Sequence, residues 1–200
     1  MAIEVEPDTR PQAWLVRHGE TEWSLSGQHT GRTDVPLTER GRAQAAALRR
    51  KLDGRRFRLV LSSPMSRALD TARLAGFGDR VQVEPDLQEW DYGEYEGRTT
   101  PEIREERPGW SIWTGDPPGG ESAAEVAARV DRVIARVRAA DGDALLFAHG
   151  HILRVLTARW LGLAASEGRL FALATATICV LGWEREASVV ERWNEPAEEG

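Results

Sequence analysis

Leu15-Val16-Arg17-His18-Gly19-Glu20-Thr21 sets an arginine, a histidine and a glycine at the end of an apolar run. Such a run predicts a buried strand that ends near Arg17 and presents His18 at the carboxyl edge of a sheet, where open α/β sheets place their ligands. Gly19 lets the backbone come close to an anion. His18 is thereby a candidate nucleophile for phosphoryl transfer to an imidazole. Arg-His-Gly is not specific alone, and its meaning depends on corroboration along the rest of the chain.

Three further apolar runs read as buried strands, so that the set is Ala13 to Val16, Leu59 to Leu61, Ala144 to Ala148 and Ile178 to Leu181. Helical stretches separate them. Thr38 to Leu52 is alanine-rich with Thr38 as a cap, and Pro64 to Ala75 opens on Ser63 as cap with Pro64 in the first helical position. Ser122-Ala123-Ala124-Glu125 is a capping box, followed by Val126, Val130, Val133, Ile134 and Val137 on one face, with Gly142 as the expected end. Ile152 to Leu161 predicts another helix, closed by Gly162. Alternating strands and helices define an α/β class with a mostly parallel sheet. Between Leu87 and Gly120 the alternation breaks into turn formers and five aromatics, Trp90, Tyr92, Tyr95, Trp110 and Trp113, which reads as a lid or pocket wall, or as an excursion anchored to the core by its rings.

With 200 residues, 41% of them apolar and 29% charged, the chain suits one domain with a full core and no need of a metal or disulfide staple. Disorder is expected only at Met1 to Gln12 and Pro196 to Gly200. The single cysteine, Cys179, excludes an intrachain disulfide and a thiolate metal cluster, and its apolar neighbours predict a core thiol. The N-terminus carries no signal pattern and no run is long enough to span a membrane, which gives a soluble, cytoplasmic expectation. A net charge of −6 argues against a nucleic-acid partner, because counterion release needs a basic surface. An anionic substrate must therefore be held by local groups.

His149-Gly150-His151 follows the Ala144 to Ala148 run in the same strand-to-helix position as His18, so two imidazoles can converge at one sheet edge. A metal is the rival reading of these histidines, but no Cys, His and carboxylate set has ligand spacing, and none is expected. Arg67, in Ser62-Ser63-Pro64-Met65-Ser66-Arg67, can reach that edge and pair with Arg17 as a two-arginine clamp on phosphate. No Gly-x-Gly-x-x-Gly opens a helix and no Walker lysine is present, so no cofactor is expected.

These elements together resemble the histidine phosphatase superfamily, the phosphoglycerate-mutase-like group. The resemblance runs in order through Arg17 to Thr21, Gly31 with Leu37-Thr38-Glu39-Arg40-Gly41, Ser62-Ser63-Pro64 with Arg67, Glu89-Trp90-Asp91-Tyr92-Gly93-Glu94-Tyr95-Glu96-Gly97, Gly120-Glu121-Ser122 and His149-Gly150. It implies a three-layer α/β/α fold with a mostly parallel mixed sheet in one domain over residues 1–200, an ordered core at about 13–195 and the lid or pocket wall at 90–120. It also implies that His18 becomes phosphohistidine, Arg17 and Arg67 clamp the phosphate, His149 contacts the phosphoryl group and Glu89 acts as general acid and base. Ser24, Thr30, Gly31 and Gly150 are implied pocket residues, Ser24 standing where mutases commonly carry asparagine. Asp91 and Glu94 compete with Glu89 for the acid role.

The implied activity is metal-independent hydrolysis of small phosphorylated metabolites. A mutase must keep water from the phosphohistidine, and mutases of the group have a larger insertion than the short stretch here from Gly93 to Gly120, which favours the phosphatase. A noncatalytic reader of phosphorylated ligands is the remaining class, and the presence of both histidines and an acid argues against it. Arg98 and Arg104 are candidates for holding a second anionic group. Oligomeric state is not legible.

Overall fold

The computed structural model describes residues 10–197, and its six strands form one sheet. In chain order these are β1 (Ala13–Arg17), β2 (Leu59–Ser62), β3 (Gln82–Val83), β4 (Ala144–Ala148), β5 (Thr177–Glu184) and β6 (Ala187–Pro196), and they lie side by side as β3-β2-β4-β1-β5-β6. The four strands from β3 to β1 are mutually parallel, while β5 runs antiparallel to β1 and β6 antiparallel to β5. The sheet is therefore mixed and mostly parallel.

Alternation along each strand supplies two cores. Leu15, Leu61, Leu146, Cys179 and Leu181 face one side, where α5 (Ala123–Arg138) and α6 (Gly150–Trp160) cover them with Val126, Val130, Val133, Ile152 and Leu156. Trp14, Val16, Val60, Leu145, Phe147, Ile178 and Val180 face the other, under Leu48 and Leu52 of α2 (Glu39–Leu52) and Ala72 of α3 (Ser66–Leu74). Three layers result. Two short helices, α1 (Glu22–Ser26) and α4 (Thr100–Glu106), sit in the loops above the carboxyl ends of the strands.

The four expected strands and the helix capped by Thr38 are present, but several boundaries move. The helix predicted from Pro64 begins at Ser66, with Met65 as a cap that makes no side-chain bond. Ser63, the expected cap, instead meets His149 Nε2 through its Oγ at 2.7 Å. Helix α5 stops at Arg138 and Gly142 lies beyond it, in the turn before β4 at φ +126. Helix α6 starts two residues before Ile152, at Gly150. Strands β3 and β6 were not anticipated: β3 has two residues only, and β6, at an edge, sets Val189-Val190 beside Glu191-Arg192 with no alternation.

Of the termini expected to be disordered, residues 1–9 and 198–200 lie outside the described residues. Gln12 is ordered, its carbonyl accepting from Ala144 N at 2.9 Å and its side chain donating to Glu191, and Pro196 and Ala197 extend and pack the last strand. Among the described residues no helix is long and apolar enough to cross a membrane.

The segment 87–120 is built around its rings. Trp90, Tyr92, Tyr95 and Trp110 are buried in the α5/α6 core, and Trp90 Nε1 donates to Glu121 O. Gly93 and Gly120 meet so closely that a Cβ on Gly93 would lie 2.4 Å from Gly120 N, and Gly93 sits at φ +51. The Ser122 capping box fixes the start of α5, Ser122 Oγ and N both meeting Glu125 Oε2 at 2.8 Å. Ser122→Ala removes half of that exchange and is expected to cost about 1 kcal/mol of stability, read as a lower urea midpoint with an unchanged slope.

Candidate active site

Three parallel strands end at one place and each delivers a basic side chain there. Arg17 ends β1 and His18 follows it, Arg67 lies in the first turn of α3 after β2, and His149 is the N-cap of α6 after β4. His18 N donates to Ala148 O at 3.0 Å, which ties the ends of β1 and β4 together. The loop after His18 is held by contact between backbones: a Cβ on Gly19 would sit 2.3 Å from Gly41 O, and one on Gly41 2.1 Å from Glu20 O. Only glycine fits either position. Gly19 N also donates to Thr71 Oγ1 of α3.

His18 and His149 stand edge to face with ring centroids 5.2 Å apart. His18 Nδ1 lies 2.7 Å from Gly19 O, and because a carbonyl only accepts, this nitrogen carries the proton and Nε2 keeps its lone pair. Burial, reinforced by Arg67 and then Arg17, pushes the basicity of His18 well below the usual histidine range, so the ring is neutral. Burial likewise depresses His149, with Arg67 and His18 adding to it. Arg67 Nε donates to His149 Nδ1 at 3.1 Å, leaving Nε2–H to meet Ser63 Oγ.

Arg67 is fully enclosed, and its Nη1 and Nη2 donate to the carbonyls of Thr33, Thr30 and Gly31. Arg17 is held less completely. Its Nη1 donates to Leu173 O at 2.5 Å, and its Nε is the one buried side-chain polar atom among the described residues that lacks a partner.

A cavity of about 250 Å³ opens here. Of the residues expected at the site, Arg17, His18, Ser24, Thr30, Glu89 and Gly150 line it. Arg67 and His149 are not on its lining; His149 lies against the His18 ring and Arg67 bonds to His149. Gly31 is also behind the wall, giving its carbonyl to Arg67 and its N–H to Glu96. Ser24 closes the capping box of α1, its Oγ accepting from Thr21 N and donating to Thr21 O. Gly150 has Arg17 packed against it, the guanidinium carbon 3.4 Å from where a Cβ would be.

Glu89 is anchored by the start of α6. Its Oε1 accepts from Trp90 N and Ile152 N, and its Oε2 from His151 N at 2.9 Å. The amides of His151 and Ile152 are ones that a helix leaves unpaired at its first turn. Asp91 is instead paired with Arg32, and Glu94 is exposed. Arg98 pairs with Glu106 and Arg104 Nε donates to Trp110 O; neither lines the cavity.

Lining residues with no assigned role in the sequence include Trp23, His29 and Arg154. Arg154 was legible in principle, since it falls one turn after Gly150 on the same helix face. His29 had no such signal, because its loop is placed by long-range bonds from its backbone to Gly97 and Arg98. Arg129 was overlooked as well. It lies three residues after Val126 on the buried face of α5, pairs with Glu121 at 2.8 Å, and gathers the carbonyls of Asp86, Gln88 and Glu89. Among the described residues no group of three His, Cys, Asp or Glu side chains is placed to hold a metal ion.

A neutral imidazole with a free nitrogen lies beside the enclosed guanidinium of Arg67 and the half-buried one of Arg17, at the carboxyl edge of a three-layer α/β sheet. The sequence model of the histidine phosphatase superfamily, branch 1, matches residues 13–196, and the chain belongs to that family. Among curated relatives, an acid phosphatase of Mycobacterium tuberculosis is 45% identical over 174 residues, 85% of each chain. Sedoheptulose 1,7-bisphosphatase of Saccharomyces cerevisiae is 38% identical over 194 residues, 80% of this chain and 71% of that protein. The solved structure of the Mycobacterium tuberculosis open reading frame Rv3214 superposes with a TM-score of 0.87 at 41% identity, covering 94% of this chain and 99% of that one.

All four histidines of the chain, His18, His29, His149 and His151, are depressed by burial, His29 to about 4. Each binds fewer protons folded than unfolded. Their contribution to stability is therefore complete above the unfolded value of about 6.5 and is lost as pH falls below it. Unfolding free energy should drop as pH is lowered from about 6.5 towards 4, and His29→Gln should flatten that slope in urea titrations at fixed ionic strength.

Proposed function

We propose that this chain is a phosphomonoester hydrolase that works through phosphohistidine at His18 without a metal ion. The observation that carries the reading is the pairing of His18 Nε2, unprotonated and free, with the unpartnered Arg17 Nε–H at one cavity. The names of the relatives, an acid phosphatase and a sugar bisphosphatase, support the same class and a small phosphorylated metabolite as substrate.

The chemistry follows from the geometry. His18 Nε2 attacks phosphorus in line with the ester oxygen, the P–N bond forms as the P–O bond to the leaving group breaks, and Glu89 gives that oxygen a proton. Arg17 and Arg67 supply fixed positive charge that counts most when negative charge spreads over the equatorial oxygens. Arg67, held by four acceptors, acts through its charge, and His149, 5.2 Å from the His18 ring, would meet the phosphoryl group. In the second half, Glu89 removes a proton from water as its oxygen attacks phosphorus and the P–N bond breaks, returning neutral His18. Oε2 is the working oxygen, because Oε1 already accepts two amides and Oε2 one.

The lining residues Ser24, Thr30 and Gly150 complete the phosphate pocket, with Gly31 supporting it through Arg67. The segment 90–120 serves as a fixed wall, since its aromatics are core residues. The short passage from Gly93 to Gly120 supports hydrolysis over mutase action. One domain carries the reaction, a single cysteine suits a reducing cytoplasmic setting, and a net charge of −6 suits small anions held locally over nucleic acid.

His18→Ala should abolish hydrolysis of p-nitrophenyl phosphate and the acid-labile phosphoenzyme trapped by rapid quench, while circular dichroism stays native; residual turnover near the parent rate refutes the assignment. Glu89→Gln should slow alkyl phosphates by about 10²-fold or more and aryl phosphates less, because aryl leaving groups need less protonation. Equal losses on both would move the acid role elsewhere.

A further inference from the structure

Around His151 the cavity is lined mostly by neutral polar groups, and nearly all of them are already satisfied. Ser24, Gln28, Thr30, Tyr92 and Thr100 each bond to another part of the protein. His151 differs. Its Nδ1 lies 2.6 Å from Tyr92 Oη, and no other hydrogen bond involves its ring. Burial pushes the Tyr92 phenol well above its ordinary range, so the hydroxyl keeps its proton. That hydroxyl has no other acceptor, so it donates to Nδ1 and the proton of the neutral imidazole resides on Nε2. Trp113 and His29 flank the ring, at centroid distances of 5.1 and 5.9 Å, and fix its plane.

Resting on the hydrolase reading above, we infer that His151 Nε2–H is a specificity-determining donor to a hydroxyl oxygen on the substrate's carbon skeleton, so that the site selects monoesters of polyhydroxylated, sugar-like alcohols over plain alkyl esters. A second anionic group is the weaker fit at this point. The Glu89 carboxylate stands 4.0 Å from the His151 ring, and Arg154, the cation on this wall, gives Nε and Nη2 to the carbonyls of Gly168 and Arg169 and its face to Trp113. His29, whose Nε2 meets Thr100 while its Nδ1 has no partner, offers a second neutral contact to the same skeleton.

The test uses ribose 5-phosphate and tetrahydrofurfuryl phosphate, which share the ring and the phosphate and differ in the hydroxyls. The ratio of their kcat/KM values is read, so that any loss common to both esters cancels. The wild-type ratio should favour ribose 5-phosphate by about tenfold or more, His151→Phe should bring it close to unity mainly through KM, and His151→Gln, which keeps an N–H donor near the same place, should restore most of it. A wild-type ratio below about twofold, or a ratio unchanged in His151→Phe, overturns the inference while p-nitrophenyl phosphate turnover leaves the hydrolase reading standing. Absence of turnover on all three esters by the wild-type protein overturns both.

Discussion

A guanidinium group sealed from water organises this end of the molecule. An isolated ion moved into protein loses several kcal/mol of hydration even after relaxation, so Arg67 is tolerable only because acceptors surround it. Three are main-chain carbonyls from one loop, those of Thr30, Gly31 and Thr33, and the fourth is the Nδ1 of His149. The loop is thereby drawn over the ends of β2 and β4. Its amides at Gly31 and Thr33 then take hold of Glu96, which belongs to the aromatic wall. One enclosed charge thus sets the distance between the second imidazole, the loop that roofs the cavity and the segment that walls it. The carboxylate of Asp34, 3.9 Å away and half-exposed, and the buried one of Glu89 both act on that charge.

Glu89 shows the complementary arrangement. The first turn of α6 points its amides at an anion, and the anion is a side chain from a loop more than 60 residues earlier. The positive end of the helix is engaged by this carboxylate at His151 and Ile152, while Gly150 lets Arg17 lie flat against the turn. On the far side Arg129 collects the carbonyls that lead up to Glu89 and locks them to Glu121. The carboxylate has little freedom to rotate, and both its oxygens have defined duties.

Local sequence carried the framework because its signals were local. Apolar runs gave β1, β2, β4 and β5, and Thr38 and Ser122 announced their helices by bonds spanning three residues. Arg17 and His18 on the cavity, with Arg67 and His149 beside His18, were legible from motifs that end strands or open helices, whereas Glu89 was legible only through the family resemblance. What escaped depends on partners distant in the chain. Ser63 looked like a helix cap and serves His149 instead; β3 exists because it pairs with β2, and β6 because it pairs with β5. His29 reaches the cavity through a loop stitched to residues 97 and 98. No pattern within ten residues of His29 encodes that placement.

The lone sulfhydryl of the chain has a consequence of its own. Cys179 lies in the middle of β5, fully buried, takes the Asn194 amide on its sulfur and is pushed up to about 12. A thiol of that kind presents no thiolate to peroxide or to alkylating reagents at neutral pH. Oxidants that silence enzymes built on a cysteine nucleophile therefore find no thiolate at Cys179.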